Sequence, residues 1–195
     1  LYNKAIKGRK ISPESNTIER LRKSLLKNSN EITFTDFGAG SQTGKNRVRK
    51  ISEIASSSAK NTKYASFLYR LCSYLNSKTI IELGTSLGIS TGYMASARPQ
   101  KIYTIEGCEK ISELARENLL KLNFQNIQFM TGTFESVLPE LLQTIPSFDL
   151  AFIDGNHQYQ PSVNYFNTLL ENANDNSCFV FDDINWSAEM KRAWL

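Results

Sequence analysis

The sequence predicts an α/β fold: a doubly wound, mostly parallel sheet with helices on both faces, preceded by an N-terminal helical extension. After Lys78, short apolar segments alternate with segments that carry apolar residues at helical spacing, which is typical of β–α–β units. The chain has 195 residues, of which 41% are apolar and 22% charged. That length and composition suit one globular domain with a sizeable core.

Five apolar segments are the predicted strands: 79–83, 101–105, 126–130, 148–153 and 178–182. Helices are predicted between them at 89–97, 109–122, 134–143 and 161–172. In open sheets of this kind, ligands bind beyond the carboxyl ends of the strands. We therefore expect the functional residues to follow each strand directly.

Residues 1–60 are predicted to form the helical extension or lid, and residues 61–195 the ligand-binding domain. The extension is basic and rich in Ser and Asn. Its predicted elements are a helix behind Ser12-Pro13-Glu14, a strand at 31–37, a loop of sequence GAGSQTGK after it, and a helix at 48–58. A stronger helix at 62–76 begins the domain.

Charge and cysteine usage limit the class of protein. The net charge is +4, and its Lys and Arg residues lie mostly before residue 70, which indicates a solvated helical face or, as the alternative, an acidic partner. Cys72, Cys108 and Cys178 lack CxxC spacing, so we expect buried thiols in a reducing, cytoplasmic compartment. No apolar run approaches the roughly 20 residues of a membrane span, so no membrane partner is expected.

A glycine-containing turn follows the first predicted strand, in the segment Glu82-Leu83-Gly84-Thr85-Ser86-Leu87-Gly88-Ile89-Ser90. Gly84 and Gly88 permit a tight turn and a close approach of a ligand to the backbone. The helix that begins there offers free N–H groups to a carboxylate or phosphate. The segment lacks the GxGxxG pattern of dinucleotide-binding folds, which argues against a nicotinamide cofactor. A glycine turn with no ligand is the structural alternative.

The second and third strands also end in candidate binding residues. Glu106 lies 24 positions after Glu82, where an acid can accept both ribose hydroxyls of a nucleoside. Thr133 and Phe134 follow the third strand, where an adenine could lie against apolar side chains. Phe134 is equally well explained as a core residue.

Three carboxylates follow the last two strands: Asp154, Asp182 and Asp183. Like charges held close together repel unless a cation neutralises them, and hard oxygen ligands favour Mg²⁺ or Ca²⁺ over zinc. The alternative is that one Asp caps a helix and another binds water. His157, the one histidine of the chain, has an ordinary pKa of about 6.5 and can accept a proton at neutral pH, or it is a bystander.

Over roughly 79–195 these residues resemble the class I S-adenosylmethionine-dependent methyltransferases, whose fold is Rossmann-like. They look most like the catechol and caffeoyl-CoA type and the related sugar O-methyltransferases. IIELGTSLGIS matches the pattern ELGxxxGxS, FIDGNHQY resembles FIDADKxxY, and FDDIN resembles the DN pair of that family. The resemblance implies that Gly84 and Gly88 lie near the methionine part of the cofactor, Ser90 near its carboxylate and Glu106 at its ribose. The implied cofactor set is Glu82, Gly84, Gly88, Ser90, Glu106, Thr133, Phe134 and Asp154, and the implied Mg²⁺ ligands are Asp154, Asp182 and Asp183.

The chain departs from the family pattern in three places. His157 stands where the catechol-type enzymes carry a catalytic Lys, and Asp183 replaces the Asn of the DN pair, as in some sugar O-methyltransferases. The resemblance also implies an antiparallel hairpin after the fifth strand, whereas the sequence ends at Leu195. A second segment, Phe34–Ser41, resembles the glycine motif, but no β–α–β unit follows it, so it is interpreted as a loop or lid element near the site.

The resulting hypothesis is an enzyme that transfers a methyl group from S-adenosylmethionine to a hydroxyl of a small molecule. His157 and Asp154 are the predicted catalytic residues, with Mg²⁺ assisting. The rivals are an NAD-dependent oxidoreductase and a cofactor-binding module without catalysis. A nucleic-acid methyltransferase is not favoured, because IDGN lacks the [DNS]PP[YFW] pattern. A homodimer is left open.

Overall fold

The computed structural model describes residues 1–36 and 45–195. The first part contains a short π-helix (Tyr2–Ile6), α1 (Ser15–Leu25), β1 (Glu31–Asp36), β2 (Lys45–Lys50), α2 (Ile51–Ser58) and α3 (Thr62–Leu75). The second contains β3 (Thr79–Leu83), α4 (Ile89–Ala95), β4 (Lys101–Glu106), α5 (Glu109–Lys121), β5 (Ile127–Thr131), α6 (Phe134–Thr144), β6 (Phe148–Ile153), α7 (Tyr159–Leu170), β7 (Ala173–Phe181) and α8 (Ala188–Trp194). The predicted loop GAGSQTGK lies outside the described residues, except for its last residue, Lys45. Residues 37–41 of the Phe34–Ser41 segment lie outside them as well.

The five strands of the domain form one parallel sheet in the order β5-β4-β3-β6-β7. The central strand β3 pairs with β4 on one side and with β6 on the other, so that Ile81 lies beside both Tyr103 and Ala151. The strand order reverses between β3 and β6, which is the position where folds of this type open a ligand crevice. The predicted α/β fold with a parallel sheet is confirmed.

Both faces of the sheet are covered, because adjacent residues of a strand point to opposite sides. Ile80 packs into a cluster with Leu68 of α3 and Met94 of α4. Its neighbour Ile81 packs into a second cluster, with Leu138 of α6 and Leu169 of α7. This two-sided burial explains why consecutive residues of β3, such as Ile80 and Ile81, are both apolar.

The N-terminal extension packs onto the domain through a shared apolar cluster. Ile18 of α1 and Ile54 of α2 are buried together with Tyr69 and Tyr93 of the domain. The extension also contains an antiparallel hairpin, in which Glu31 lies beside Lys50. The prediction of a helix at 48–58 was therefore wrong for its first three residues, which belong to β2. The boundary between the extension and the domain at residue 60 remains a prediction from the sequence.

Within residues 1–36 and 45–195, no helix is both long and apolar enough to cross a membrane.

The three cysteines form no disulfide bond. Cys72 and Cys108 are buried, and Cys178 is half-buried. Burial raises the pKa of the Cys72 thiol, so it remains protonated and behaves as an apolar side chain.

The turn after β3 fits closely against the end of β6. The Gly84 N–H donates to Ile105 O at 3.0 Å, and the Asp154 N–H donates to Leu83 O at 2.9 Å. Gly84 has a φ of +101°, and a Cβ placed there would lie 2.2 Å from the Asp154 carbonyl oxygen. Only glycine satisfies both the backbone angle and this close approach.

The substitution Gly84→Ala is expected to lower the free energy of unfolding by at least about 2 kcal/mol, because it adds backbone strain and a clash with the carbonyl group. Urea denaturation would measure the loss. Gly92→Ala is the matched control. Its Cβ would meet the end of the Leu119 side chain at 3.2 Å, inside a helix where alanine is favoured. Equal effects of the two substitutions would contradict the proposed fit.

Candidate functional site

The ends of β3, β4, β6 and β7 bring the predicted residues to one edge of the sheet. Glu82, Glu106, Asp154 and Asp182 belong to neighbouring strands or follow them directly. The structure shows, however, that the partners differ: hydroxyl groups bind Glu82, backbone N–H groups bind Glu106, and an ammonium group binds both Asp154 and Asp182. Those partners decide which groups are free to act on a ligand.

Glu82 is fully buried and is bound by three hydroxyl groups. Ser90 and Thr91 each donate to its carboxylate at 2.6 Å, and Thr104 donates at 2.7 Å. Burial raises the pKa of Glu82 to about 7, although these hydroxyl bonds oppose the rise. Glu82 and Ser90, both predicted to bind the cofactor, thus use their side chains on each other and hold the glycine turn against β4.

Glu106 holds the same turn from the second strand. One carboxylate oxygen accepts the Ser86 N–H at 2.9 Å, and the other accepts the Cys108 N–H at 3.1 Å. Ser86 has a φ of 47°, which is uncommon for a residue with a side chain. Burial raises the pKa of Glu106, while the backbone N–H bonds lower it. Glu106 therefore stabilises a strained turn through charge-assisted hydrogen bonds.

Thr133 and Phe134 begin α6. The Thr133 hydroxyl accepts the Ser136 N–H at 3.4 Å and caps the helix. The Phe134 ring packs edge-to-face on Tyr165, with ring centroids 5.4 Å apart. It also lies so close to Gly155 that a Cβ there would be 2.7 Å from the ring. These contacts favour the interpretation of Phe134 as the edge of the core, and its predicted place beside an adenine remains a prediction.

The loop after β6 is held in an uncommon backbone conformation. Asn156 and His157 have φ values of 67° and 42°. The Asn156 side chain donates to the Tyr165 hydroxyl at 2.8 Å, and that hydroxyl donates to Glu135. The chain therefore fixes this loop from two helices, and strain of this kind is common where a loop must aim a functional side chain.

His157 points at two of the predicted carboxylates. Its Nε2 lies 3.9 Å from an oxygen of Asp154 and 3.8 Å from an oxygen of Asp183. These distances are too long for hydrogen bonds. Burial lowers the pKa of His157, although the nearby carboxylates of Asp183 and Asp182 oppose that change. The imidazole is therefore neutral at pH 7 and able to accept a proton.

The cation of this site is Lys60, which was not predicted from the sequence. Its ammonium group lies 2.9 Å from Oδ2 and 3.1 Å from Oδ1 of Asp154, and it also binds the Asp182 carboxylate. Lys60 lies between α2 and α3, 94 residues before Asp154 and 122 before Asp182. No local motif marks it, and only the packing of the extension brings it to the strand ends.

The ion pair changes the protonation of its members. Burial by itself would lower the pKa of Lys60, but attraction to Asp154 and Asp182 outweighs it and raises the pKa. Burial likewise would raise the pKa of Asp182, but the ammonium group holds it below its usual range. Asp154 is more deeply buried, and burial raises its pKa despite the ammonium group. At neutral pH the cluster contains a charged ammonium group and at least one ionised carboxylate.

The three carboxylates predicted to bind a metal do not face one point. Adjacent residues at the end of an extended strand point in different directions. Asp182 turns to Lys60, whereas Asp183, with a φ of 51°, faces His157. Potential ligand atoms of Asp154, His157 and Asp183 do lie within 4.8 Å of one another. However, both carboxylate oxygens of Asp154 are already in contact with the Lys60 ammonium group. A dication there would lie next to an ammonium group and be repelled by it. The residues present therefore do not fit a resident divalent ion.

A twisted parallel sheet in this strand order, with a glycine turn after the first strand and acids at the following strand ends, defines the class I methyltransferase fold. The family model described as a methyltransferase domain matches residues 81–184, just over half of the chain. The chain therefore belongs to this methyltransferase family.

Two curated proteins are similar to part of the chain. An uncharacterized protein, R132, of Acanthamoeba polyphaga mimivirus is 32% identical over 127 residues, which are 59% of this chain and 57% of that protein. A catechol O-methyltransferase of Niastella koreensis is 31% identical over 126 residues, 63% of this chain and 55% of that protein. The chain thus spans a little over half the length of these curated relatives.

A solved structure shows the same fold. The O-methyltransferase from Bacillus cereus, crystallised in complex with SAH, superposes with a TM-score of 0.63. The match covers 71% of this chain and 70% of that one, at 22% sequence identity. It confirms the Rossmann-like architecture that the strand pattern predicts.

The raised pKa of Glu82 predicts a pH-dependent stability. A carboxyl group whose pKa is higher in the folded than in the unfolded state stabilises the fold at low pH. That contribution is lost as the pH rises from about 4.5 to about 7. At pH 8 the ionised form would cost on the order of 3 kcal/mol relative to a neutral side chain. The Tm of the wild type minus that of Glu82→Gln should therefore fall between pH 5 and pH 8.

The control for this measurement is Glu140→Gln, which alters an exposed carboxylate on α6. Its Tm should follow the wild type across the whole pH range. Parallel pH curves for wild type and Glu82→Gln would contradict the assigned role of burial.

Proposed function

We propose that this chain carries the cofactor-binding core of an S-adenosylmethionine-dependent O-methyltransferase that acts on a small molecule. The observation that carries the proposal is the edge formed by the Gly84–Gly88 turn, Glu106 and the Asp154 loop where β3 and β6 meet. Membership of the methyltransferase domain family supports it. The relative from Niastella koreensis, named a catechol O-methyltransferase, supports transfer to oxygen.

The cofactor would lie along the carboxyl ends of β3 and β4. Each oxygen of Glu106 accepts one backbone N–H, and an ionised carboxylate has about four acceptor positions. Glu106 therefore keeps acceptor capacity for the ribose hydroxyls. The absence of side chains at Gly84 and Gly88 leaves the backbone open to the methionine part. The side chains of Glu82 and Ser90 act from behind the turn, by fixing its shape.

His157 is the general base in this proposal. In methyl transfer, an acceptor oxygen forms a bond to the methyl carbon as the bond from that carbon to sulfur breaks, and the oxygen loses its proton. A neutral imidazole can take that proton. The positive charge would then lie 3.8–3.9 Å from Asp154 and Asp183, where it is stabilised. Asp154 thus has a supporting part in catalysis.

The predicted Mg²⁺ is not part of this mechanism, because Lys60 already places a positive charge between Asp154 and Asp182. Positioning of donor and acceptor, together with proton removal, is sufficient for an in-line displacement. The NAD-dependent alternative is not supported, since the turn lacks GxGxxG and the family is one of methyltransferases. The remaining alternative is a module that binds the cofactor without catalysis, and kinetic measurements would distinguish it from an active methyltransferase.

Glu106→Ala is expected to weaken S-adenosylhomocysteine binding about tenfold to hundredfold, because it removes charge-assisted bonds to the ribose. Isothermal titration calorimetry would measure the dissociation constant. The control is Glu109→Ala, which removes an exposed carboxylate three residues away, in the first turn of α5. A Tm measurement on both variants reports whether the turn at Ser86 still folds. Unchanged affinity in a folded Glu106→Ala protein would place the cofactor elsewhere.

His157→Ala is expected to lower kcat about 10²–10⁴-fold while the cofactor dissociation constant changes less than about twofold. The lowered pKa of His157 also sets the pH profile. The wild-type rate should rise with pH and level off at a lower pH than it would for an ordinary histidine, because burial lowers the pKa of the base. The variant should lose that dependence.

A panel of small hydroxylated acceptors with radiolabelled methyl donor provides the rate. The control is Gln160→Ala, an exposed position in the first turn of α7. If His157→Ala keeps its rate but melts at a lower temperature, His157 holds the loop and is not the base.

A further inference from the structure

The acidic cluster at the ends of β6 and β7 contains a cation supplied by the chain itself. We propose that Lys60 is the resident cation of the acceptor site, and that it makes the site independent of a divalent ion. Its ammonium group fills the space between Asp154 and Asp182, where the family resemblance implies a metal. The inference deepens the proposed function and rests on it only for its effect on the reaction.

The first support is the set of contacts made by the ammonium group, which has three donors and no acceptor. The Lys60 nitrogen lies 2.9 and 3.1 Å from the two oxygens of Asp154, and it donates to Asp154 Oδ1 and to the Asp182 carboxylate. One cation thus bridges two carboxyl groups, and its removal would leave them buried without that partner.

The second support is burial. The side chains of Lys60 and Asp154 are only 17% and 14% exposed, and that of Asp182 is 31% exposed. Ion pairs on a surface are weak because water screens them. Here most of the water is excluded, so breaking the pair would leave buried charges uncompensated.

The third support is the anchoring of the Lys60 backbone on both sides. The Ala59 N–H donates to Ala55 O at 3.1 Å, which ends α2. The Asn61 side chain accepts the N–H groups of Lys63 and Tyr64 at 3.1 and 3.2 Å, which begins α3. Lys60 thus lies at a short junction between two capped helices, and the junction directs its side chain to the strand ends.

A metal ion would have to compete with this arrangement. An ion held between Asp154 and Asp182 would have to displace the ammonium group. An ion at the alternative set of Asp154, His157 and Asp183 would share Asp154 with Lys60 and be repelled by it. Removing the charge of Lys60 should therefore expose a latent metal site.

The test is a Mn²⁺ titration, followed by electron paramagnetic resonance, of the wild type, Lys60→Met and Lys63→Met. Methionine keeps much of the length of the lysine side chain without its charge. Lys63 is exposed and lies in the same segment, so its substitution controls for a general loss of positive charge. We expect Lys60→Met to bind Mn²⁺ at least about tenfold more tightly than the other two proteins, and its Tm alone to rise with Mn²⁺. Equal Mn²⁺ affinity in wild type and Lys60→Met would overturn the proposal.

A second variant guards against misfolding of Lys60→Met. Lys60→Gln keeps a hydrogen-bond donor for the carboxylates without the charge, and it should also gain Mn²⁺ affinity over the wild type. Tight Mn²⁺ binding by the wild-type protein would overturn the proposal without any variant.

Activity gives a separate result. The wild type and Lys63→Met should keep their methylation rates in EDTA, whereas Lys60→Met should lose its rate in EDTA and recover part of it with Mn²⁺. An EDTA-sensitive wild type would contradict the inference. If no protein methylates any acceptor or binds S-adenosylhomocysteine, the proposed function fails, while the Mn²⁺ titration still decides the role of Lys60.

Discussion

The close backbone contact between the turn after β3 and the end of β6 governs the geometry of the whole site. Gly84 and Asp154 approach so closely that a single added carbon would overlap a carbonyl oxygen. This contact lies at the position where the strand order reverses, and it fixes the distance between the glycine turn and the loop of His157. Because both segments are held by main-chain hydrogen bonds, their relative position does not depend on flexible side chains.

Around that contact, buried carboxyl groups are stabilised by three different kinds of partner. Glu82 is bound by hydroxyl groups, Glu106 by backbone N–H groups, and the pair Asp154 and Asp182 by an ammonium group. The partner determines the behaviour of each acid. Hydroxyls only partly offset burial, so Glu82 has a pKa of about 7. The ammonium group is strong enough to hold the pKa of Asp182 below its usual range. Glu106 keeps its charge-assisted bonds to the backbone N–H groups of Ser86 and Cys108.

Elements whose formation depends on burial could be predicted from the sequence, and contacts between distant segments could not. Strands such as β3 were predicted because they carry apolar residues on both faces, with Ile80 in one core cluster and Ile81 in the other. The strand β2 was not predicted, and it pairs with β1 in an antiparallel hairpin. The sequence predicted that Asp154, Asp182 and Asp183 lie together at neighbouring strand ends, but not that Asp182 turns to Lys60 while Asp183 faces His157. Lys60 had no local pattern, and its role follows from the way the extension packs through Ile18 and Ile54.

Because Lys60 lies between Asp154 and Asp182, the cation of this acidic cluster is part of the polypeptide itself. A metalloenzyme takes its cation from the surrounding solution, so its active fraction varies with the supply of free ion and with competing chelators. A cation built into the polypeptide has a stoichiometry of one, set at translation. It cannot be exchanged for the wrong ion or removed by a chelator. Its occupancy depends instead on folding, because the ammonium group reaches the acids only when the extension is docked on the domain.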